Sequence, residues 1–164
     1  MKATDDFDAF YTSSYRRLVG QIYAMVGNLG EAEDAVQEAY CRAWQRWSSV
    51  REYGDPEAWV RTVAYRVAVS SWRKAVNRLT AHRRHGPPEP LPDIGPEQVA
   101  LVECLRALTP EQRRVVVLHH LVGLTVEDIA AETGVPVGTV KSRLARGRKT
   151  LAEFLSKEAN VDVW

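Results

Sequence analysis

The sequence predicts an all-α protein: two small helical domains, a three-helix bundle followed by a four-helix domain, joined by a flexible proline-rich linker. Three observations carry this. Apolar residues recur at helical spacing throughout, and no segment requires a strand. The stretch holding Gly86, Pro87, Pro88, Pro90, Pro92 and Pro96 interrupts them with a composition suited to a partly extended connector. The stretch Leu124 to Leu151 reads as two helices with a tight turn at Gly134, Val135 and Pro136. The expected boundaries are 6–75 for the first domain, 76–96 for the linker and 97–158 for the second domain.

In the first domain, Phe7, Phe10, Tyr11, Leu18, Ile22 and Val26 set a helix from about Asp6 to Val26, ended by the turn Gly27 to Gly30. A second helix, about Glu31 to Trp47, turns Ala32, Val36, Ala39, Tyr40, Ala43 and Trp47 inward. Its opposite side carries Glu31, Asp34, Glu38, Cys41 and Gln45, with Gln37 and Trp44 at the border. A loop from Ser48 to Gly54 leads to Asp55 as cap and Pro56 at the first helical position of a third helix, extending to about Ala75. Its expected core face is Trp59, Val60, Val63 and Val67, which leaves Arg61, Tyr65, Trp72 and Arg73 on the outer face.

Beyond the linker, a helix is expected from about Glu97 to Leu108. Thr109, Pro110 and Gln112 form a capping box for the next, which carries Val115, Val116, Leu118 and Leu121 to a break at Gly123. Thr125 caps the first helix of the final pair, with Ile129 and Ala130 inside. The last helix turns Val137, Val140, Leu144, Leu151 and Leu155 inward, and the tail from Ala159 is expected to fray.

Composition bounds the function. The 164 residues are 45% hydrophobic and 26% charged, which excludes disorder throughout and leaves room for one domain or two small ones. The net charge of +1 conceals a segregation of charge: no acid occurs between Glu57 and Glu89, nor from Thr133 to Ala152. No apolar run reaches the ~18 residues of a membrane span, and Asp5, Asp6 and Asp8 do not suit a signal peptide, so a cytoplasmic location is expected. Cys41 and Cys104 fall in different domains, which argues against a structural disulfide. His82, His85, His119 and His120 lack the carboxylate or thiolate company of a zinc site, and no catalytic constellation or phosphate loop occurs. Neither an enzyme, a small-molecule substrate nor a cofactor is expected.

Two basic surfaces point instead to nucleic acid. On the last helix, Thr139, Ser142, Arg146 and Lys149 oppose the apolar stripe, flanked by Lys141 and Arg148 on one edge and Arg143 on the other. A basic, hydroxyl-bearing face on the second helix of such a pair suits a DNA major groove. A solvated helix in an ordinary bundle would normally mix charge signs to gain i,i+4 pairs. On the third helix, cations interleave with Tyr65 and Trp72, a combination that holds single strands by stacking; the same rings could instead pack beneath the first helix or a loop.

This pattern resembles the group IV, extracytoplasmic-function class of RNA polymerase sigma factors, over nearly the whole chain. The resemblance rests on Glu33-Asp34-Ala35-Val36-Gln37-Glu38-Ala39-Tyr40, on Trp59-Val60-x-x-Val63-Ala64, and on Gly138-Thr139-Val140-Lys141-Ser142-Arg143. It implies that the two domains are sigma-2 and sigma-4. Asp34, Gln37 and Glu38, with Cys41 on the same face, would dock on the clamp helices of the beta-prime subunit of core RNA polymerase, whose beta subunit is a further expected partner. Arg61, Tyr65, Arg66, Trp72 and Arg73 would capture the melted non-template strand at the minus-10 element of promoter DNA. Lys141, Ser142, Arg143 and Arg146 would read the minus-35 element, with Thr139 and Arg148 contacting phosphates or flanks. Arg66 and Ser70 depart from the Asn and Asp common in the family, which leaves the minus-10 base open. Family members are commonly restrained by an anti-sigma factor, though no residue here announces one. The competing reading is a free-standing helix-turn-helix regulator that binds an operator as a dimer.

Overall fold

The computed structural model describes residues 2–79 and 94–161, and every regular element among them is helical. The chain divides into two units, Met1–Glu89 and Pro90–Trp164. The linker residues Gly86, Pro87, Pro88, Pro90 and Pro92 lie outside the described residues, as does the tail beyond Val161.

The first unit contains α1 (Lys2–Val26), α2 (Leu29–Gln45), the short α3 (Trp47–Val50) and α4 (Pro56–Leu79). Gly27, at φ 78°, ends α1, and the side chain of Asn28 accepts the Glu31 N–H at 3.0 Å. One glycine in the left-handed region therefore suffices for the turn, and α2 starts at Leu29, earlier than its apolar pattern suggests. The expected loop after α2 contains α3, because Trp47 is held down: its ring lies 5.2 Å from those of both Phe7 and Phe10. Such ring pairs contribute about 0.5–1.5 kcal/mol each beyond burial. Asp55 Oδ1 accepts the Ala58 N–H at 3.1 Å and opens α4, which runs past the expected end at Ala75 to Leu79.

Leu18 and Ile22 of α1 are fully buried, each contributing about 1.5–3 kcal/mol. Around them, α2 buries Ala32, Ala35, Val36, Ala39 and Ala43, while α4 buries Val60, Ala64 and Ala68. Small side chains at four-residue spacing let the packed pair α2 and α4 approach closely. Tyr40 completes this core. Ser14 Oγ donates to the Phe10 carbonyl at 2.5 Å, so the Tyr40 hydroxyl, 2.5 Å away, donates to Ser14.

The second unit holds α5 (Pro96–Leu105), α6 (Pro110–Val116), α7 (Val126–Thr133) and α8 (Val137–Val161). Both halves of the capping box form at α6, with Thr109 Oγ1 accepting from Gln112 N–H and Gln112 Oε1 from Thr109 N–H. A π-helical turn, Val117–Leu121, then continues α6, closed by Val122 N–H donating to the Val117 carbonyl at 3.1 Å. Thr125 caps α7 by accepting the Asp128 N–H at 3.1 Å, and Gly134, at φ 74°, ends it. That left-handed residue produces the tight turn before α8.

The buried residues of α8 are Val140, Leu144 and Gly147. Gly147 is required by proximity, since a β-carbon there would come within 2.9 Å of Val116 Cγ2 on α6. Leu155, expected inside, is 53% exposed, and Val137 is only half-buried. The 25 residues of α8 outrun the 7 of α6 and the 8 of α7, so its last turns extend beyond those neighbours.

Candidate nucleic-acid interface and docking face

On α8 the predicted groove-facing residues separate by exposure. Lys141, Ser142, Arg146 and Arg148 are exposed, whereas Thr139 and Arg143 are half-buried at the margins. This follows from the tight turn at Gly134, which sets α8 on α6 and α7 through Val140, Leu144 and Gly147 and turns the opposite side outward. Ser142 Oγ donates to the Thr139 carbonyl at 3.1 Å, leaving its lone pairs available. Arg148 Nε donates to His120 Nε2 at 3.3 Å. That last pairing carries no local sequence signal, because the two residues are 28 positions apart in the chain. Among the described residues, no group of three His, Cys, Asp or Glu side chains could hold a metal ion.

On α4 the outcome is mixed. Trp72 is 56% exposed, and Arg66, Arg73 and Lys74 are exposed with it. Trp72 is therefore not a core residue of the described unit, while Tyr65 is half-buried. Arg61 corrects the sequence expectation. It is only 2% exposed, and its Nη1 donates to Gln21 Oε1 on α1 at 3.3 Å, so it cannot present its guanidinium to DNA from this position. Trp59, Val63 and Val67 carry more apolar weight than the alanines, so the apolar pattern points to the wrong face. The buried stripe is Val60, Ala64 and Ala68, which brings position 61, roughly 100 degrees from Val60, to the core margin.

The outer face of α2 presents Asp34, Gln37, Glu38 and Cys41, all exposed. Glu38 pairs with Arg42 at 2.8 Å along the helix, and Gln37 Nε2 donates to the Tyr15 hydroxyl at 3.3 Å. Partial burial, and then the charge of Asp34, raise the Glu33 carboxyl above its ordinary pKa. Trp44, 48% exposed and 5.0 Å from the Phe7 ring, adds a large apolar surface on the same helix. The two cysteines are free.

Comparisons with known proteins identify the family. Residues 10–78 match the family profile of Sigma-70 region 2, and residues 98–151 that of Sigma-70, region 4. The ECF RNA polymerase sigma factor SigE of Mycolicibacterium smegmatis is 32% identical over 173 residues, an alignment spanning 96% of this chain and 65% of that protein. The RNA polymerase sigma-E factor of Streptomyces coelicolor is 28% identical, over 92% of this chain and 86% of its own. Among solved structures, the sigma factor RpoE of Bartonella quintana, in complex with the anti-sigma factor NepR, superposes with a TM-score of 0.77 at 25% identity. That match covers 92% of this chain and 97% of RpoE. The chain belongs to the sigma-70 family, the non-catalytic, promoter-directing subunits of RNA polymerase, and within it to the extracytoplasmic-function group.

Proposed function

We propose that the chain binds core RNA polymerase through the exposed face of α2, holds the melted non-template strand of a promoter on α4, and reads the minus-35 element with α8. On this reading Asp34, Gln37, Glu38 and Cys41 meet the clamp helices of the beta-prime subunit. Tyr65, Arg66, Trp72 and Arg73 meet the unpaired minus-10 strand, while Arg61 ties α4 to α1 through its bond to Gln21. Lys141, Ser142, Arg143 and Arg146 approach base edges, with Thr139 and Arg148 on the backbone. The beta subunit completes the polymerase surface. Work on promoter DNA fits a cytoplasmic location. No helix among the described residues is long and apolar enough to cross a membrane.

The observation that carries the proposal is the exposed side of α8, where Lys141, Ser142, Arg146 and Arg148 project from an acid-free run. Arg can meet guanine edges bidentately there, and neighbouring cations can neutralise phosphates. An operator-binding regulator would also use such a helix, but the matches to both sigma regions do not favour that reading. RpoE of Bartonella quintana was solved with an anti-sigma factor, which makes such a restraint a reasonable partner here too. The deciding experiment is transcription in vitro with purified core polymerase on a promoter library. Initiation at a shared two-part motif supports the proposal; footprints on DNA without core enzyme, and no initiation with it, reject it.

A further inference from the structure

The π-helical turn after α6 and the middle of α8 are joined by a hydrogen bond from Arg148 Nε to His120 Nε2. An arginine Nε–H can only donate, so Nε2 of His120 accepts and the proton of the neutral ring sits on Nδ1. A doubly protonated imidazole has no acceptor and carries a positive charge against Arg148. The neighbouring ring is fixed independently. His119 Nδ1 lies 2.8 Å from the Leu124 carbonyl, which only accepts, so that nitrogen donates; the two imidazoles meet edge to face at 4.9 Å.

We propose that His120 is a positioning residue for DNA binding: its neutral ring holds Arg148 in the pose that meets a backbone phosphate, and protonation of the ring releases it. The inference rests on the reading of Arg148 as a phosphate contact. Its geometric basis is that the bond engages Nε of an exposed guanidinium, whose terminal nitrogens carry further N–H donors. The surroundings are consistent with a ring kept neutral. Partial burial first, then His119 on the same turn and Arg148 on α8, lower the His120 pKa from its ordinary value. Arg113 and Arg114 of α6, and Glu127, Asp128 and Glu132 of α7, are not among the groups that shift it. Among the described residues no carboxylate opposes these causes, and acidification below the ordinary histidine range protonates the ring and breaks the bond.

Losing the bond returns Arg148 to free rotation, so the phosphate contact must bear the cost of ordering that side chain, about a two- to tenfold loss of affinity. The test uses the full chain and a labelled duplex selected by the unmodified protein from a random pool, with binding measured from about pH 8 to about pH 5. The unmodified chain should weaken by that factor on acidification. His120→Leu should be weak at every pH. His120→Gln, whose carboxamide oxygen accepts and does not titrate, should remain tight throughout. Combining His120→Leu with Arg148→Ala should be no weaker than Arg148→Ala alone. If Arg148→Ala weakens binding but His120→Leu does not at pH 8, the phosphate contact stands and the positioning role is overturned. If Arg148→Ala leaves affinity and salt dependence unchanged, the contact itself is wrong and the inference fails with it. A rise in affinity on acidification that His120→Leu abolishes would also overturn the proposal, because the imidazolium would then be meeting phosphate directly.

Discussion

Arg61 Nη1 lies 3.3 Å from Gln21 Oε1, and this bond between α4 and α1 is out of reach of solvent, with the two residues 2% and 9% exposed. A buried guanidinium is tolerated only where its donors find acceptors. Arg61→Ala should therefore leave Gln21 without its partner and open space in the core, lowering stability by about 1–3 kcal/mol. Arg66→Ala and Arg73→Ala, at exposed positions, should change stability by about 0.5 kcal/mol or less. Thermal unfolding of the three variants separates them. An Arg61→Ala protein that unfolds with the unmodified chain, yet loses promoter opening, would return Arg61 to the DNA-contacting set.

Gly147 should resist substitution although it lies within a helix, where alanine is ordinarily better by about 1 kcal/mol. The added methyl would sit 2.9 Å from Val116 Cγ2, and valine is stiff at χ1, so α6 and α8 must move apart. Overpacking of this kind costs about 1–3 kcal/mol. Gly147→Ala should be net destabilising in chemical denaturation, and Val116→Ala in the same chain should recover part of the loss. Independent, additive effects of the two substitutions would show that the helices do not meet there.

These two residues mark the boundary of what was legible in the sequence. The starts of α4, α6 and α7 were readable because caps are local: Asp55, Thr109 and Thr125 each satisfy an N–H three residues on. The exposed side of α8 was readable because its core positions are valine and leucine, whose periodicity is strong. The core side of α4 was not, because Ala64 and Ala68 carry little hydrophobic weight while Trp59, Val63 and Val67 carry much. Glycine gives no apolar signal at all, so Gly147 was invisible as a packing position. The π-helical turn and the His120 to Arg148 bond depend on how α6 and α8 meet, which no window of local sequence contains.

Tyr40 supplies a pH dependence at the alkaline end. Burial, as the largest cause, pushes its phenol up to about 12, opposed in part by the hydrogen bond with Ser14. The folded value exceeds the unfolded one, so the folded state retains the proton longer. The resulting stability is complete below about pH 10 and is lost as the pH rises from there towards 12, by about 2 kcal/mol at most. Tyr40→Phe should remove that slope from the denaturation profile and sacrifice the Ser14 bond at neutral pH. An unchanged slope in the variant would assign the effect to other groups.

Glu38→Lys tests the docking face with little risk to the fold. The Glu38 and Arg42 side chains are 48% and 54% exposed, so their ion pair contributes about 0.3–0.5 kcal/mol and its loss should barely move the unfolding midpoint. Reversal of the charge should still weaken association with core polymerase, mainly through the rate of encounter and its salt dependence. Unchanged co-elution with core enzyme would remove Glu38 from the interface.

Trp72 and Tyr65 distinguish strand capture from packing, and the structure makes different demands of the two. Trp72 is 56% exposed, so Trp72→Ala should leave thermal stability within about 0.5 kcal/mol of the unmodified chain. Tyr65 is half-buried, so Tyr65→Ala should carry a folding cost in addition to any effect on DNA. Stacking on an aromatic ring contributes about 1–3 kcal/mol per unpaired base and nothing to a closed duplex. Trp72→Ala should therefore reduce open-complex formation by about tenfold or more while leaving closed-complex affinity intact. Permanganate footprinting on duplex and premelted templates reads both steps. If Trp72→Ala opens the promoter normally, its exposed ring is not a stacking platform, and the cations Arg66 and Arg73 must hold the strand without it.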